Sequence, residues 1–314
     1  MTFVSSVWFR AGFSLALLGY LASRIDMTEA ARGIVTIKPA HLAGALGLVA
    51  LDRFLMLCRW VLLVRRARMA LSLKSTVWVF LVGSYLGQLL PSGVGSDAVR
   101  AYLLSRRTES GAESIALVAI DRYVGLCSLA LLATVGLVTW TGQTHVELQR
   151  WSYLLAGVVT LGAIGLLWAD HLLRVLVPVR WSTQPWVTQA LRLADALGQY
   201  RGRLPLVVLL VALSVVVQVV RVLQAYVLGR GLGIAVSFSY YLAVMPIGIL
   251  VILLPISIGG FGVAQGVIVW LLRPVGVPEP QAFALSTLFL ITGVVSTLPG
   301  ALLYLRSRSR GGAS

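Results

Sequence analysis

The chain has 314 residues, of which 58% are apolar and 12% charged, with a mean hydropathy of +0.90, more apolar surface than one soluble core of that size can bury. Its charges collect between apolar stretches that approach or exceed about 20 residues, the length that crosses a hydrocarbon core, so the composition excludes a soluble globular enzyme and describes a polytopic membrane protein. The formal charge of +15 falls in short loops and at the tail, where basic residues report topology rather than a nucleic-acid partner.

Helices are the expected spanning element, because runs such as 204–228 are apolar on every face and lack the alternation of a transmembrane barrel. The first apolar run, 3–23, carries Arg10 and has no convincing cleavage site, so it reads as an uncleaved first helix. Segments follow at 42–64, 77–90, a short piece at 96–104, and 114–140. The second half offers 153–169, 204–228, 240–254, a short piece at 263–272, and 282–305. Between the halves, 182–200 places Trp186, Ala190, Leu193, Ala194 and Leu197 around Arg192 and Asp195, an amphipathic surface helix or a solvated linker helix. Cys58 and Cys127 lie in apolar segments, without a disulfide framework or metal-ligand spacing.

Basic residues set the expected orientation. Arg65, Arg66, Arg68 and Lys74, then Arg106 and Arg107, then Arg174, Arg180, Arg192, Arg201 and Arg203, and finally Arg306, Arg308 and Arg310 all belong on the cytoplasmic side. The stretch 77–104 must then enter and leave on that side. Each of its arms is too short to cross, since about 14 helical residues rise about 21 Å. A re-entrant hairpin meets both conditions. The stretch 240–272 dips in from the opposite side by the same argument. The expected fold class is therefore an all-α polytopic membrane protein of two inverted repeats, each with three spanning helices and one re-entrant helical hairpin. It forms one integral membrane domain, residues 1–140 and 141–314 being the two repeats. Eight or more ordinary spans with two proline kinks is the alternative.

Both hairpins carry the same order of events. Leu89-Leu90-Pro91-Ser92-Gly93-Val94-Gly95-Ser96-Asp97-Ala98-Val99-Arg100 and Leu254-Pro255-Ile256-Ser257-Ile258-Gly259-Gly260-Phe261-Gly262-Val263-Ala264-Gln265-Gly266 each run from an apolar helix through a proline and glycines to a polar restart. Paired broken segments in two halves point to a transport site. Together with Asp121-Arg122-Tyr123-Val124-Gly125-Leu126, they resemble, in order and over nearly the whole chain, the three signatures of the lysylphosphatidylglycerol synthase transmembrane family, also called flippase-like membrane proteins. The resemblance implies a membrane domain that moves a lipid between leaflets. It also implies a stand-alone domain without the cytosolic part that makes the aminoacylated lipid in bifunctional members. Ala264 and Gln265 stand where many members have an Arg-Glu pair, so the cargo need not be the family's usual one.

The restart of each hairpin offers free amides and about half a positive charge to a phosphate. Ser92, Gly93, Gly95, Ser96, Ser257, Gly259, Gly260 and Gln265 are therefore expected to bind substrate, unless they only shape kinks and caps. Asp97 and Arg100 share a helix face. Asp97 is expected to cap the returning helix and Arg100 to reach headgroup oxygens, with a structural ion pair as the alternative. Arg53, Arg122 and Arg221 complete the expected substrate-binding set. Arg221 falls on a stripe with Gln218 and Gln224, and Arg59 lies beyond Arg53. Asp52 is the expected proton-coupling residue. The alternative is that Asp52 and Asp121 merely neutralise Arg53 and Arg122, or that the arginines snorkel to the interface. His41, His145 and His171 lie at segment ends or in loops, and neither a catalytic constellation nor a nucleotide-binding loop is visible.

The sequence thus leads to a non-enzymatic translocator of an anionic phospholipid or polyprenyl-phosphate-linked lipid, with no cofactor and no metal. It is expected in a bacterial-type cytoplasmic (inner) membrane with both termini cytoplasmic. Its partners are membrane lipids and a separate lipid synthase or glycosyltransferase. The other reading is a non-transporting partner or regulator of such an enzyme.

Overall fold

The computed structural model describes residues 7–67, 69, 71–90, 95–108, 111–140, 204–254 and 256–311, and isolated positions between 154 and 191. The expected segment 153–169, the amphipathic helix at 182–200, the boundary at 140 and 141, and Pro91, Ser92, Gly93 and Pro255 lie wholly or largely outside the described residues. Within them the chain is helical, with no strand. The helices are α1 (Val7–Arg24), α2 (Met27–Thr36), α3 (Pro39–Arg66), α4 (Leu73–Leu89), α5 (Gly95–Ser105), α6 (Gly111–Thr139), α7 (Leu204–Gly231), α8 (Phe238–Ile252), α9 (Val263–Leu272), α10 (Glu279–Val295) and α11 (Leu298–Gly311), with a 3-10 turn at Arg273–Val275.

Their starts follow local chemistry. Asp26 caps α2 by accepting from the amides of Thr28 and Glu29. Pro39 opens α3 at a position where its missing N–H costs nothing. Ser72 and Ser237 cap α4 and α8 through the amides of Ser75 and Tyr240. Two elements differ from the sequence expectation. The ten residues of α2 were not foreseen, because the helix is short and carries Glu29 and Arg32. The run 282–305 is interrupted, α10 and α11 being separated by a turn at Ser296 and Thr297.

By length and apolarity, α6, residues Pro205–Gly231 of α7, and Glu279–Arg308, which runs from α10 into α11, are long enough to cross a membrane. The 28 residues of α3 match them in length, but Asp52, Arg53 and Arg59 sit in its interior. Large apolar side chains such as Leu15, Phe54, Val138, Trp270 and Leu302 face outward, as a lipid solvent permits. This is a membrane protein.

The helices pack as two linked groups. Trp60, Leu63, Phe80, Leu104, Leu117 and Leu210 form one core, around α4 and α5. Tyr241, Met245, Ile268, Leu272 and Leu285 belong to the other, around α8 and α9. Between the groups, α3 lies along α7, α6 along α8, and α11 along α4. Van der Waals packing drives such contacts in lipid, so small residues mark the closest ones. A Cβ at Gly136 of α6 would overlap the backbone of Leu242 and Ala243 in α8, and one at Gly300 of α11 would overlap the Leu81 carbonyl in α4.

Candidate functional site

Where the two groups meet, α3, α4, α5, α6 and α7 and the α8–α9 and α10–α11 junctions enclose a cavity of about 310 Å³. Asp52, Arg53 and Arg59 reach it from α3, Ser84 and Gln88 from α4, Ser96, Asp97 and Arg100 from α5, and Asp121 and Arg122 from α6. From the second half come Gln218, Arg221 and Gln224 of α7, Gly259 and Gly260 of the α8–α9 junction, and Thr297. The spacing of the α7 residues, three apart, puts them on one face of the helix.

The charged residues form two connected sets. In the first, Arg59 Nε donates to Asp121 Oδ1 at 2.8 Å, and Arg100 Nη1 donates to Asp121 Oδ2 at 3.1 Å. Arg100 Nη2 donates to Asp97 Oδ1, and Arg122 Nη1 to Asp97 Oδ2 at 2.8 Å. The result is a ladder of alternating sign across α3, α5 and α6. Arg59 is also fixed by Ser214 Oγ at 2.6 Å. The Arg100 guanidinium lies 5.2 Å from the Trp60 ring centroid and 5.5 Å from that of Phe80, distances at which aromatic faces stabilise a cation.

The second set bridges the halves. Arg221 Nε donates to Asp52 Oδ1 at 2.7 Å, and Arg53 Nε lies 3.8 Å from Asp52 Oδ2. Arg53 Nε also donates to Ser296 Oγ at 2.8 Å. Among the described residues, neither Nη of Arg53 has a hydrogen-bond partner.

On α6 the neighbours in sequence are not the partners, whereas Asp52 and Arg53 of α3 lie within salt-bridge distance. Asp121 pairs with Arg59 and Arg100 rather than with Arg122, and Arg122 pairs with Asp97, because successive residues on a helix point about 100° apart. Asp97 lies in the first turn of α5 with its carboxylate on two arginines, which corrects the expectation that it caps the helix. Arg100 lines the cavity but is buried and held between two carboxylates, and its contact with Asp97 is the ion pair that stood as the alternative to a headgroup contact. Arg53, Arg122 and Arg221, with side chains 28%, 25% and 21% exposed, are the arginines open to the cavity.

The two junctions contribute differently. In the first, Gly95 starts α5 and is buried, while Ser96 lines the cavity. In the second, Gly259, Gly260 and Gly262 have φ of 58°, 83° and 84°, a left-handed backbone that favours glycine. The amides of Gly259 and Gly260 make no hydrogen bond among the described residues. Gln265 stands off the cavity wall, because its Oε1 accepts from the Gly262 amide at 2.8 Å and caps α9. Ser257 is buried away from the lining, its Oγ without a hydrogen bond among the described residues. Ser92 and Gly93 lie outside the described residues. Sequence reasoning did not assign Gln88, Ser296, Trp60 or Phe80 to the site. Ser296 had a signal in the adjacent Pro299 and Gly300; the two aromatic residues had none.

Five arginines (Arg53, Arg59, Arg100, Arg122 and Arg221) and three aspartates (Asp52, Asp97 and Asp121) line the cavity, leaving two positive charges in excess. Among the described residues no group of three His, Cys, Asp or Glu is placed to hold a metal ion.

Residues 7–300 match the family described as the lysylphosphatidylglycerol synthase TM region. The chain belongs to that family. No curated protein and no solved structure gives a significant match. The match takes in every helix of the lysylphosphatidylglycerol synthase transmembrane fold that lines the cavity, from α3 to α10, so the arginine–aspartate ladder lies inside the family region.

Proposed function

We propose that this chain translocates an anionic lipid, a phospholipid or a polyprenyl-phosphate-linked lipid, between the leaflets of a bacterial-type cytoplasmic membrane. The observation that carries this reading is the excess of two positive charges in a cavity enclosed by apolar helices. An ionisable side chain at the centre of a spanning helix costs about 2.5–3.5 kcal/mol on insertion scales. The three aspartates offset part of that cost, and a phosphate headgroup offsets the remainder. Arg53, Arg122 and Arg221 contact the phosphate oxygens, assisted by Ser96 and the free amides of Gly259 and Gly260. The acyl or isoprenoid chains stay in the surrounding lipid. Asp52, shared between Arg53 and Arg221, is the carboxylate to which we assign proton coupling.

The mechanism rests on two inverted repeats, each with one re-entrant hairpin, α4–α5 and α8–α9. The packing supports a repeat, since exchanging α3 with α7, α4 with α8, α5 with α9, and α6 with α10 and α11 returns the same neighbours. The separation of Gly136 and Gly300, which make equivalent close contacts, also equals that of Pro91 and Pro255. Rocking of one half against the other then alternates access to the site. Both termini are cytoplasmic in this scheme, the chain is not itself an enzyme, and a separate lipid synthase or glycosyltransferase supplies the lipid.

Purified protein in vesicles tests the function. Acyl-labelled phosphatidylglycerol or a polyprenyl phosphate should change leaflets faster than in protein-free vesicles; if both stay where they start, the non-transporting role replaces this one. In a background lacking Cys58 and Cys127, the variants R106C and R273C should label from opposite faces. Labelling from one face rejects the inverted arrangement.

A further inference from the structure

The family takes its name from a lipid whose headgroup carries a lysyl ester. Phosphatidylglycerol has one negative charge; its lysyl ester adds two ammonium groups and is a net cation. We infer that this cavity selects an unmodified anionic headgroup and rejects the aminoacylated one, an inference that rests on the lipid-binding role proposed above.

Three features of the lining support it. Each carboxylate is already shared between two guanidiniums: Asp52 by Arg221 and Arg53, Asp97 by Arg100 and Arg122, and Asp121 by Arg59 and Arg100. An incoming ammonium would compete with resident arginines for every acid. Recognition of an ammonium by aromatic rings is also limited. Among the described residues Phe289 is the single aromatic side chain in the lining, and Trp60 and Phe80 already face Arg100. Finally, the excess of two positive charges repels a net cation in the same space where it attracts a phosphodiester, and like charges repel more strongly in a partly enclosed cavity than in bulk water.

Among the described residues the remaining polar lining is neutral and suits a polyol. Gln88 is close to Gly259, while Gln218 and Gln224 are turned toward Gly125 and Thr292. Such amides donate and accept with hydroxyls without preferring either charge. The second junction places Ala264 and Gln265 beside Gly262, and neither adds an acid.

The test uses the full chain in detergent and in vesicles, with short-chain phosphatidylglycerol and its lysyl ester as probes. Binding followed by intrinsic tryptophan fluorescence should be at least tenfold weaker for the lysyl ester, and acyl-labelled phosphatidylglycerol should cross at least tenfold faster than acyl-labelled lysyl-phosphatidylglycerol. Arg53→Glu should narrow both ratios, and Arg53→Gln should weaken phosphatidylglycerol binding while raising that of the lysyl ester less than Arg53→Glu does. Equal or tighter binding of the lysyl ester, or binding of neither, overturns the inference. Selective binding without movement of either lipid leaves the selectivity standing and removes transport instead.

Discussion

Arg221 and Asp52, 169 positions apart in sequence, meet Nε to Oδ1 at 2.7 Å and tie α7 to α3. Neither has another partner of opposite charge at that distance, since Arg53 lies 3.8 Å from Asp52. The pair is partly exposed to the cavity, so its strength is that of a contact in moist surroundings rather than a sealed interior. A double-mutant cycle with Asp52→Asn and Arg221→Gln should return a coupling of about 0.5–3 kcal/mol in detergent unfolding. Zero coupling would mean that the halves are not tied there. If Asp52 also carries the coupling proton, Asp52→Asn makes the transport rate independent of an imposed pH gradient.

The arginines should divide into two groups by mutation. Arg53→Gln and Arg122→Gln should slow lipid movement at least tenfold with folded protein retained, because these side chains open on the cavity. Arg100→Gln removes the middle of the ladder, takes one of two arginines from each of Asp97 and Asp121, and breaks the link between them. Loss of one partner from a buried pair costs about 3–5 kcal/mol, so this variant should fail size-exclusion and thermal-unfolding tests before transport is measured. A well-folded, inactive Arg100→Gln would return Arg100 to the substrate.

Gly136 and Gly300 each hold a helix from one half against a helix from the other. Gly136→Val and Gly300→Val should separate α6 from α8 and α11 from α4, at about 1–3 kcal/mol each, the usual range for overpacking. Gly47 of α3, where an added Cβ meets nothing within 4 Å among the described residues, serves as the control: Gly47→Val should leave unfolding unchanged by that test.

Asp26 gives a pH dependence outside the membrane. The amides of Glu29 and then Thr28 hold its carboxyl below the ordinary value of 3.8. A carboxylate with a lowered folded value contributes its stabilisation above the unfolded value and loses it as pH falls through the folded one. The protection factors for hydrogen exchange at Thr28 and Glu29, taken against the intrinsic rate at each pH, should therefore be high above about pH 4 and fall below it. Asp26→Ala should show low protection at every pH.

Much of this architecture was readable from residue order. The glycine and proline interruptions at Pro91 and Pro255 marked the two broken helix pairs, and apolar run lengths located the long helices. The three-residue spacing of Gln218, Arg221 and Gln224 placed them on one lining face. Ion-pair partners were not readable. Spacing reports which residues share a face of one helix, but Arg59, Arg100 and Asp121 meet only after three helices pack. Nor did spacing show that Gln265, expected to bind substrate, has its Oε1 on the Gly262 amide of its own turn. The break at Ser296 had its signal in Pro299 and Gly300, set within an otherwise apolar run.

The ladder has a consequence for how the protein is made. Its ion pairs between helices form only when α3, α5 and α6 lie side by side, and α5 brings both Asp97 and Arg100 on just 11 residues. With each ionisable side chain costing about 2.5–3.5 kcal/mol at the bilayer centre and only the Asp97–Arg100 pair formed within α5 itself, α5 is poorly placed in lipid until α6 arrives with Asp121 and Arg122 as further partners. The first half should therefore leave the insertion machinery as a block. Nascent chains arrested before Gly111 should expose S96C to aqueous thiol reagents, and those arrested beyond Thr139 should protect it; protection in both would show that α5 partitions alone.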